Sequence, residues 1–187
     1  LKPKSPKPKM KNLLLIVLAA LTLTSCSKEI SSLPQATETG ANTFGAKVDG
    51  ALWGPLKLGI AQTAPILEAR YAGDNSIFIN ARNFSSSPTE VEMEIYLNNV
   101  KSPGVIQLNK NTGLFPDQSG SYAYFVKRKI TPTNEWMTNS QVGGHVNITK
   151  IDRDNRIISG TFEFKANSLK SDTPISVTEG RFDIKIK

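Results

Sequence analysis

The sequence predicts a single all-β domain over residues 43–187, folded as an antiparallel β-sandwich or a barrel. No stretch in this region keeps the apolar spacing of an amphipathic helix. Instead, short runs of β-branched and aromatic residues alternate with clusters of Gly, Pro, Asn, Asp and Ser, as in a chain of strands joined by turns. The length is sufficient for one domain with its own core.

Ten strands are expected from these runs, and the short turns between them favour antiparallel pairing. Turn signals include Asp49-Gly50, Ser102-Pro103-Gly104 and Asp152 to Asn155. The polar stretch TPTNEWMTNS (131–140) is expected to form a loop. The expected strands cover 43–48, 51–55, 66–72, 76–83, 91–97, 105–108, 121–128, 144–151, 156–166 and 175–186.

The last three strands form a predicted C-terminal meander, in either a sandwich or a calycin-like barrel. Each alternates apolar with polar residues, which is typical of a sheet that covers a core on one side. In the last strand the apolar positions change from odd to even between Val177 and Phe182. We therefore expect a β-bulge near Glu179-Gly180, where glycine tolerates the extra residue. Gly160 is expected almost opposite Gly180, at a sharp bend.

Before the domain, an apolar run from Leu13 to Leu23 follows a basic start at Met10. This run has about half of the roughly 20 residues that span a bilayer, and it fits the apolar region of a secretory signal. The closing residues Leu23-Thr24-Ser25-Cys26 resemble a bacterial lipobox, in which the cysteine is lipidated. We therefore expect residues 1–25 to be a signal peptide with an upstream extension, Met10 to be the start, and Cys26 to carry the lipid.

Residues 26–42 are expected to be the lipidated N-terminus and a flexible tether, because they are polar and rich in Ser and Thr. The lipid predicts a protein anchored in the bacterial cell envelope, at the outer membrane. Whether it faces the periplasm or the cell surface stays open. Since Cys26 is the only cysteine, its lipidation leaves no thiol for a disulfide, a metal or a nucleophile.

The net charge of +7 suggests a basic protein, but it is unevenly distributed. Five lysines precede Cys26, and every acidic residue follows it. Without those five, 18 Lys and Arg face 16 Asp and Glu, a net charge of +2. This balance is ordinary for a protein surface, so no nucleic-acid partner is expected.

Four segments carry a resemblance to a family: TFGAKVDGALW (43–53), GHVNITKID (144–152), ISGTFEFKA (158–166) and VTEGRFDIKI (177–186). They resemble small lipoproteins of the Bacteroidetes, which open with F-x-A-x-V-D-G-x-x-W and close with I-x-G-T-F and G-x-F. The resemblance implies an envelope lipoprotein with an all-β domain. It implies no catalytic or binding residue.

The sequence predicts no catalytic residue, no metal site and no cofactor. His145 is the only histidine and has no nucleophile motif or second metal ligand. Glu90, Glu92 and Glu94 share one face of a strand, which could hold a cation or half of a hydrolase site, but more simply marks a solvated face. The run Asp152 to Asn155 resembles a calcium loop but favours a hairpin turn. We therefore expect a non-enzymatic protein.

Trp136, Tyr122 and Tyr124 are the candidate ligand-binding residues. Sugar-binding sheets present flat aromatic faces to solvent, and an envelope protein could bind a polysaccharide or another envelope protein through them. Trp53, in the opening hairpin, is expected in the core. The alternative functions are a lipocalin-like carrier of a small apolar ligand, which requires a lined cavity, and a carboxylate-dependent hydrolase, which requires two acids across a cleft.

Overall fold

The computed structural model describes residues 29–57, 64–73, 75–85 and 89–187. It confirms the all-β prediction, because these residues form eleven strands joined by antiparallel ladders. The strands are β1 (Thr43–Val48), β2 (Ala51–Trp53), β3 (Leu67–Tyr71), β4 (Ile77–Asn83), β5 (Glu90–Leu97), β6 (Gly104–Gln107), β7 (Tyr122–Arg128), β8 (Pro132–Met137), β9 (Gly144–Asp152), β10 (Ile157–Ser168) and β11 (Ile175–Lys185).

The strands form one open sheet in the order β2-β1-β11-β10-β8-β7-β5-β4-β3, with β9 beside β10 and β6 beside β9. We call the part with β1, β2, β6, β9, β10 and β11 the first half, and the part with β3, β4, β5, β7 and β8 the second half. Strand β10 belongs to both, because it pairs with β9 and β11 while its last residues, Asn167 and Ser168, pair with β8.

The main core is filled with apolar side chains from both halves, as a sandwich requires. The first half contributes Phe44, Phe162 and Ile184, and the second half contributes Ile79 and Phe125, all at most 3% exposed. At the open edge, Ala69 of β3 bridges Ile186, just after β11. The two halves therefore pack face to face around one core.

The C-terminal meander of β9, β10 and β11 is confirmed, and so is its bulge. The β10–β11 register shifts between Phe162, opposite Gly180, and Phe164, opposite Val177. Glu179, inside the shift, has a φ of 53°. A Cβ on Gly180 would lie 2.5 Å from the Phe162 ring, so this position needs glycine because a ring packs directly on its backbone.

The expected position of Gly160 was two residues off, since it pairs with Phe182 and not with Gly180. The prediction of a loop over 131–140 is wrong in its first part, where β8 runs from Pro132 to Met137. The sequence of β8 begins with four polar or ring-constrained residues that lack alternation. Its strand structure comes from its neighbours, because it pairs with β7 on one side and with the end of β10 on the other.

The flexible-tether prediction is wrong for residues 29–42, which we call the strap and which lie along the first half of the sheet. Pro34 packs against Gly45, Ile30 packs near Gly54, and Arg181 Nη1 donates to Pro34 O at 3.2 Å. The rest of the N-terminal prediction, including the signal peptide and Cys26, lies outside the described residues.

Asp183 fixes the end of the strap to β11. Its side chain is 1% exposed and accepts bonds from the backbone N–H groups of Thr39, Gly40 and Ala41 at 3.0, 2.8 and 3.1 Å. Hydroxyl groups of Thr37 and Ser159 donate to it at 2.7 and 2.8 Å. Burial by itself raises the pKa of Asp183, but these hydrogen bonds outweigh it, so the pKa lies well below its ordinary value.

Candidate functional site

A cleft of about 350 Å³ opens between the two halves at one end of the molecule. The turns at 49–50 and 129–131 and the segment 169–174 lie at this end, since β1, β7 and β10 all finish there. The start of the strap, Glu29 and Ile30, also lines the cleft. We call this site the end cleft. Its other lining residues include Val48, Asp49, Leu52, Trp53, Asn83, Val91, Phe125, Lys127, Trp136, Thr173, Pro174 and Ile175.

Three aromatic rings form a continuous wall of the end cleft. The Phe125 ring lies between the two indoles, with its centroid 5.8 Å from Trp53 and 5.8 Å from Trp136. The strands place them together, because Phe125 of β7 pairs with Trp136 of β8, while Trp53 comes from β2 in the opposite half. Tilted and edge-to-face rings at this spacing attract one another and hold a rigid apolar surface.

A few polar groups stand around this wall. Trp136 Nε1 donates to Thr173 O at 2.9 Å, which fixes its indole to the 169–174 segment. Lys127 Nζ lies 5.7 Å from the centre of the Trp136 ring, a cation–π contact. Asn83 Nδ2 donates to Gly54 O at 2.7 Å and ties β4 to the chain after β2. Trp53 Nε1 is buried and has no hydrogen-bond partner among the described residues.

The end cleft has the size and chemistry of a small-molecule site. Ligand pockets usually enclose roughly 300–1,000 Å³ and combine an apolar or aromatic lining with a few polar groups. The end cleft meets both conditions, and the filled core below it leaves the ligand space at the end of the sandwich, not along its axis.

The expected aromatic platform of Trp136, Tyr122 and Tyr124 is not exposed, and that prediction of its geometry is wrong. The three side chains are 7%, 0% and 4% exposed. Trp136 also lies on the core side of the second half, whereas the two tyrosines lie in a second cluster on its outer side. The reason is strand alternation, since Trp136 pairs with Phe125 and its neighbour Met137 pairs with Tyr124.

The tyrosine cluster is covered by the segment between β6 and β7. Leu114 packs on the cluster, and the Phe115 ring lies 5.8 Å from Phe78 and 6.4 Å from Tyr96. The Arg70 guanidinium stacks over Phe78 and Phe115 at 4.3 and 4.9 Å. This cover excludes solvent from the rings, so stacking of a sugar on them would require the segment to move.

The tyrosine hydroxyls are used inside the protein. Tyr122 donates to the Glu94 carboxylate and accepts from the Phe115 N–H at 2.9 Å, and Tyr124 donates to Glu135 at 2.6 Å. Burial, and then the neighbouring carboxylates, raise the pKa of both tyrosines well above the ordinary value. Burial also raises the pKa of Glu94, and the Tyr124 hydrogen bond lowers that of Glu135. These pairs hold β5, β7 and β8 together.

The row of glutamates on β5 is paired and partly buried, not solvated as expected. Glu92 is 5% exposed, accepts a hydrogen bond from Asn80 and lies 2.8 Å from Arg128 Nη2. Glu90 lies 3.3 Å from Arg82 Nε. Within the described ranges, no three His, Cys, Asp or Glu side chains come together as a metal site.

His145 lies on β9 with its side chain 38% exposed, and its Nδ1 is 3.9 Å from Glu163 Oε1. Asp152 accepts from the Asn155 N–H and side-chain amide at 2.9 Å, so residues 152–155 form the expected hairpin turn. In the part of the chain that the structure describes, no helix is long and apolar enough to cross a membrane.

Sequence reasoning missed the end cleft and the Asp183 hub. Trp53 was expected in the core, and it does pack there on Phe44, but it also lines the cleft. Phe125 and Lys127 stand at alternate positions on β7, opposite in parity to the tyrosines. The sequence could have shown this, because side chains at odd and even positions of a strand point to opposite faces. Phe125 and Lys127 therefore lie on the face opposite to Tyr122 and Tyr124.

The sequence matches a protein family described as "Domain of unknown function (DUF6252)" over residues 41–184. The chain belongs to this family. The matched region of the DUF6252 domain begins in the strap, just before Asn42, and ends within β11, so it includes ten complete strands, nearly all of β11 and most of the end cleft. No curated protein and no solved structure matches the chain.

Proposed function

We propose that this DUF6252 protein is a non-enzymatic binding module, anchored in the bacterial envelope by a lipid on Cys26, whose end cleft takes a small apolar ligand. The observation that carries the proposal is the wall of Trp53, Phe125 and Trp136, set between the two halves in a cleft of about 350 Å³. A glycan site on the outer tyrosines has less support, since their rings are covered.

The chemistry of the cleft favours an apolar ligand with a small polar group. Rings and aliphatic side chains from both halves would remove the ligand body from water, which is worth roughly 25 cal/mol per Å² of apolar surface. The rim carries Lys127 together with the carboxylates of Glu29 and Asp49. Because both signs of charge are present, the rim favours a neutral or zwitterionic polar group over a strongly charged one.

Binding can be measured through the tryptophans, because the protein has two and both line the end cleft. A medium-chain fatty alcohol added to the purified protein is expected to shift or quench their fluorescence in a saturable way. A neutral oligosaccharide is expected to leave it unchanged. Saturable binding of the oligosaccharide alone would replace the apolar-ligand proposal with glycan binding.

A substitution that fills the end cleft, compared with the same substitution outside it, tests where the ligand binds. Val48→Phe places a larger side chain on the cleft lining and is expected to weaken alcohol binding at least tenfold. Val105→Phe makes the same change at a position 59% exposed on β6, outside the cleft, and is expected to bind like the wild type. Equal binding by both variants would place the ligand elsewhere.

The anchor is tested separately by cell fractionation. Cys26→Ala removes the thiol that would carry the lipid and is expected to move the protein from the membrane fraction to the soluble fraction. Ser27→Ala, one residue further on, is the control and is expected to stay with the membrane. Unchanged retention of the Cys26→Ala protein would refute lipid anchoring without bearing on the cleft.

A further inference from the structure

The first described residues leave the domain at the end cleft, which fixes where a lipid on Cys26 would lie. Glu29 and Ile30 line the cleft, and only two residues separate Glu29 from Cys26. Three residue steps span at most about 11 Å even when fully extended. Given the lipid anchor proposed above, the end cleft must lie close to the bilayer surface.

The same end carries the most exposed large apolar side chain among the described residues. Ile130, in the turn between β7 and β8, is 98% exposed, and Leu169, after β10, is 56% exposed. Isolated exposed apolar residues are ordinary on a soluble surface. Here, however, two of them project from turns at one end, next to the point where the lipid would attach.

Three cationic residues immediately precede the exposed Ile130 in the chain. Lys127 and Lys129 are exposed on either side of Arg128, whose guanidinium is engaged by Glu92. The acidic groups at this end include Glu29, which lines the cleft, Asp49, which accepts the Ser176 N–H at 2.9 Å, and the exposed Asp172. Glu90 and Glu92 of β5 are paired with Arg82 and Arg128. The 127–130 segment therefore presents two exposed lysines, of which Lys127 also lies over the Trp136 ring, and one isoleucine. This combination inserts an apolar side chain while contacting anionic headgroups.

We propose that the 127–130 segment docks the domain on an anionic membrane surface. Ile130 and Leu169 enter the headgroup region, and Lys127 and Lys129 contact lipid phosphates. This orientation, which rests on the anchor at Cys26, opens the end cleft at the membrane surface. The ligand class then narrows from a small apolar molecule to an amphipathic molecule taken from the bilayer.

Vesicle sedimentation of the Cys26→Ala protein over residues 26–187, which lacks the apolar run and the five lysines of residues 1–25, tests the docking segment without the lipid. Binding to phosphatidylcholine vesicles is expected to rise when phosphatidylglycerol is added, and to fall as salt screens the lysines. Lys129→Glu and Ile130→Ser should each reduce binding at least about fivefold. The matched controls Lys101→Glu and Val105→Ser, away from this end and exposed, should bind like the parent. No dependence on phosphatidylglycerol, or equal loss in the controls, would overturn the proposal.

Orientation is tested on the lipidated protein in vesicles. Trp53 and Trp136 both lie at the end cleft, so a spin label in the headgroup region is expected to quench their fluorescence. Quenching should fall in the Ile130→Ser variant and persist in Val105→Ser. No quenching in a protein that stays with the membrane would refute the orientation while leaving the lipid anchor intact. A protein that Cys26→Ala does not release would refute the anchor, and the sedimentation assay would still decide the docking segment.

Discussion

Replacing Asp183 with asparagine removes one buried charge and keeps the shape of the side chain. One oxygen of Asp183 accepts from Thr37, Thr39 and Ala41, and the other accepts from Gly40 and Ser159. An asparagine has one side-chain oxygen, so it can accept from only one of these two sets of donors. Its NH₂ would then face donors on the other side, so the Gly40 N–H or several strap donors would lose their acceptor.

The expected cost is about 3 kcal/mol in the free energy of unfolding at pH 7. A buried donor left without an acceptor costs about 1–3 kcal/mol, and hydrogen bonds to a charged group are worth about 1.5–3 kcal/mol each. Ser159 can rotate its hydroxyl to accept from the new NH₂, which offsets part of the loss. The strap should loosen most, because four of its residues lose a charged partner.

Two measurements check this reasoning. Urea unfolding of the Asp183→Asn protein should show the loss of about 3 kcal/mol, while Asp154→Asn, in the exposed β9–β10 turn, should stay within about 0.5 kcal/mol of the wild type. A glutamate-specific protease should cut the variant after Glu38, in the strap, faster than the wild type. Equal stability and equal cleavage would refute the role given to the Asp183 hub.

The pH dependence has a defined sign. The pKa of Asp183 is lower in the folded protein, so its stabilisation is complete above the unfolded value of about 3.9 and is lost as the pH falls below it. The asparagine variant lacks this group, so the difference in stability between wild type and variant should shrink below about pH 4. A constant difference down to pH 2 would contradict the assignment.

Two further predictions concern β11 and β5. Gly180→Ala should cost about 1–3 kcal/mol, because the new methyl meets the Phe162 ring; urea unfolding measures it, and a smaller cost with Phe162→Leu in the same chain would confirm the cause. Glu94 has a raised pKa, so its ionisation lowers stability as the pH rises through that value. Glu94→Gln should remove this part of the pH dependence of unfolding, and an unchanged pH profile would contradict it.

The alternation of apolar residues was enough to predict most strands and the bulge, because burial of one face dictates period two. It failed at β8, because Thr133, Asn134 and Glu135 follow one another without alternating apolar residues. Their strand conformation depends on β7, which pairs with Asn134 and Glu135, and on β10, which pairs with Trp136 and Met137 further along β8. Such pairing is a property of the tertiary structure and leaves no local pattern.

The alternation in β11 also predicts that Asp183 lies on the solvated face of the strand, and this prediction is wrong. The carboxylate is buried because the strap covers it, and the strap binds through backbone N–H groups and hydroxyls. A segment that packs through polar atoms has the composition of a linker. The end cleft could not be predicted from any one stretch of sequence either, because its three aromatic residues come from β2, β7 and β8, which only the fold brings together.

Strand β10 has a consequence for how the protein can open. This strand runs from the ladder with β11 to the ladder with β8. The two halves therefore share one continuous strand, and they cannot separate unless the pairing of that strand breaks. We therefore expect a single cooperative unfolding transition, with no state in which one half melts alone. A ligand can enter the end cleft without separation of the two halves, and we expect the mobility of Thr173 and Pro174, which line the cleft, to affect the rate of binding more than the mobility of the core does.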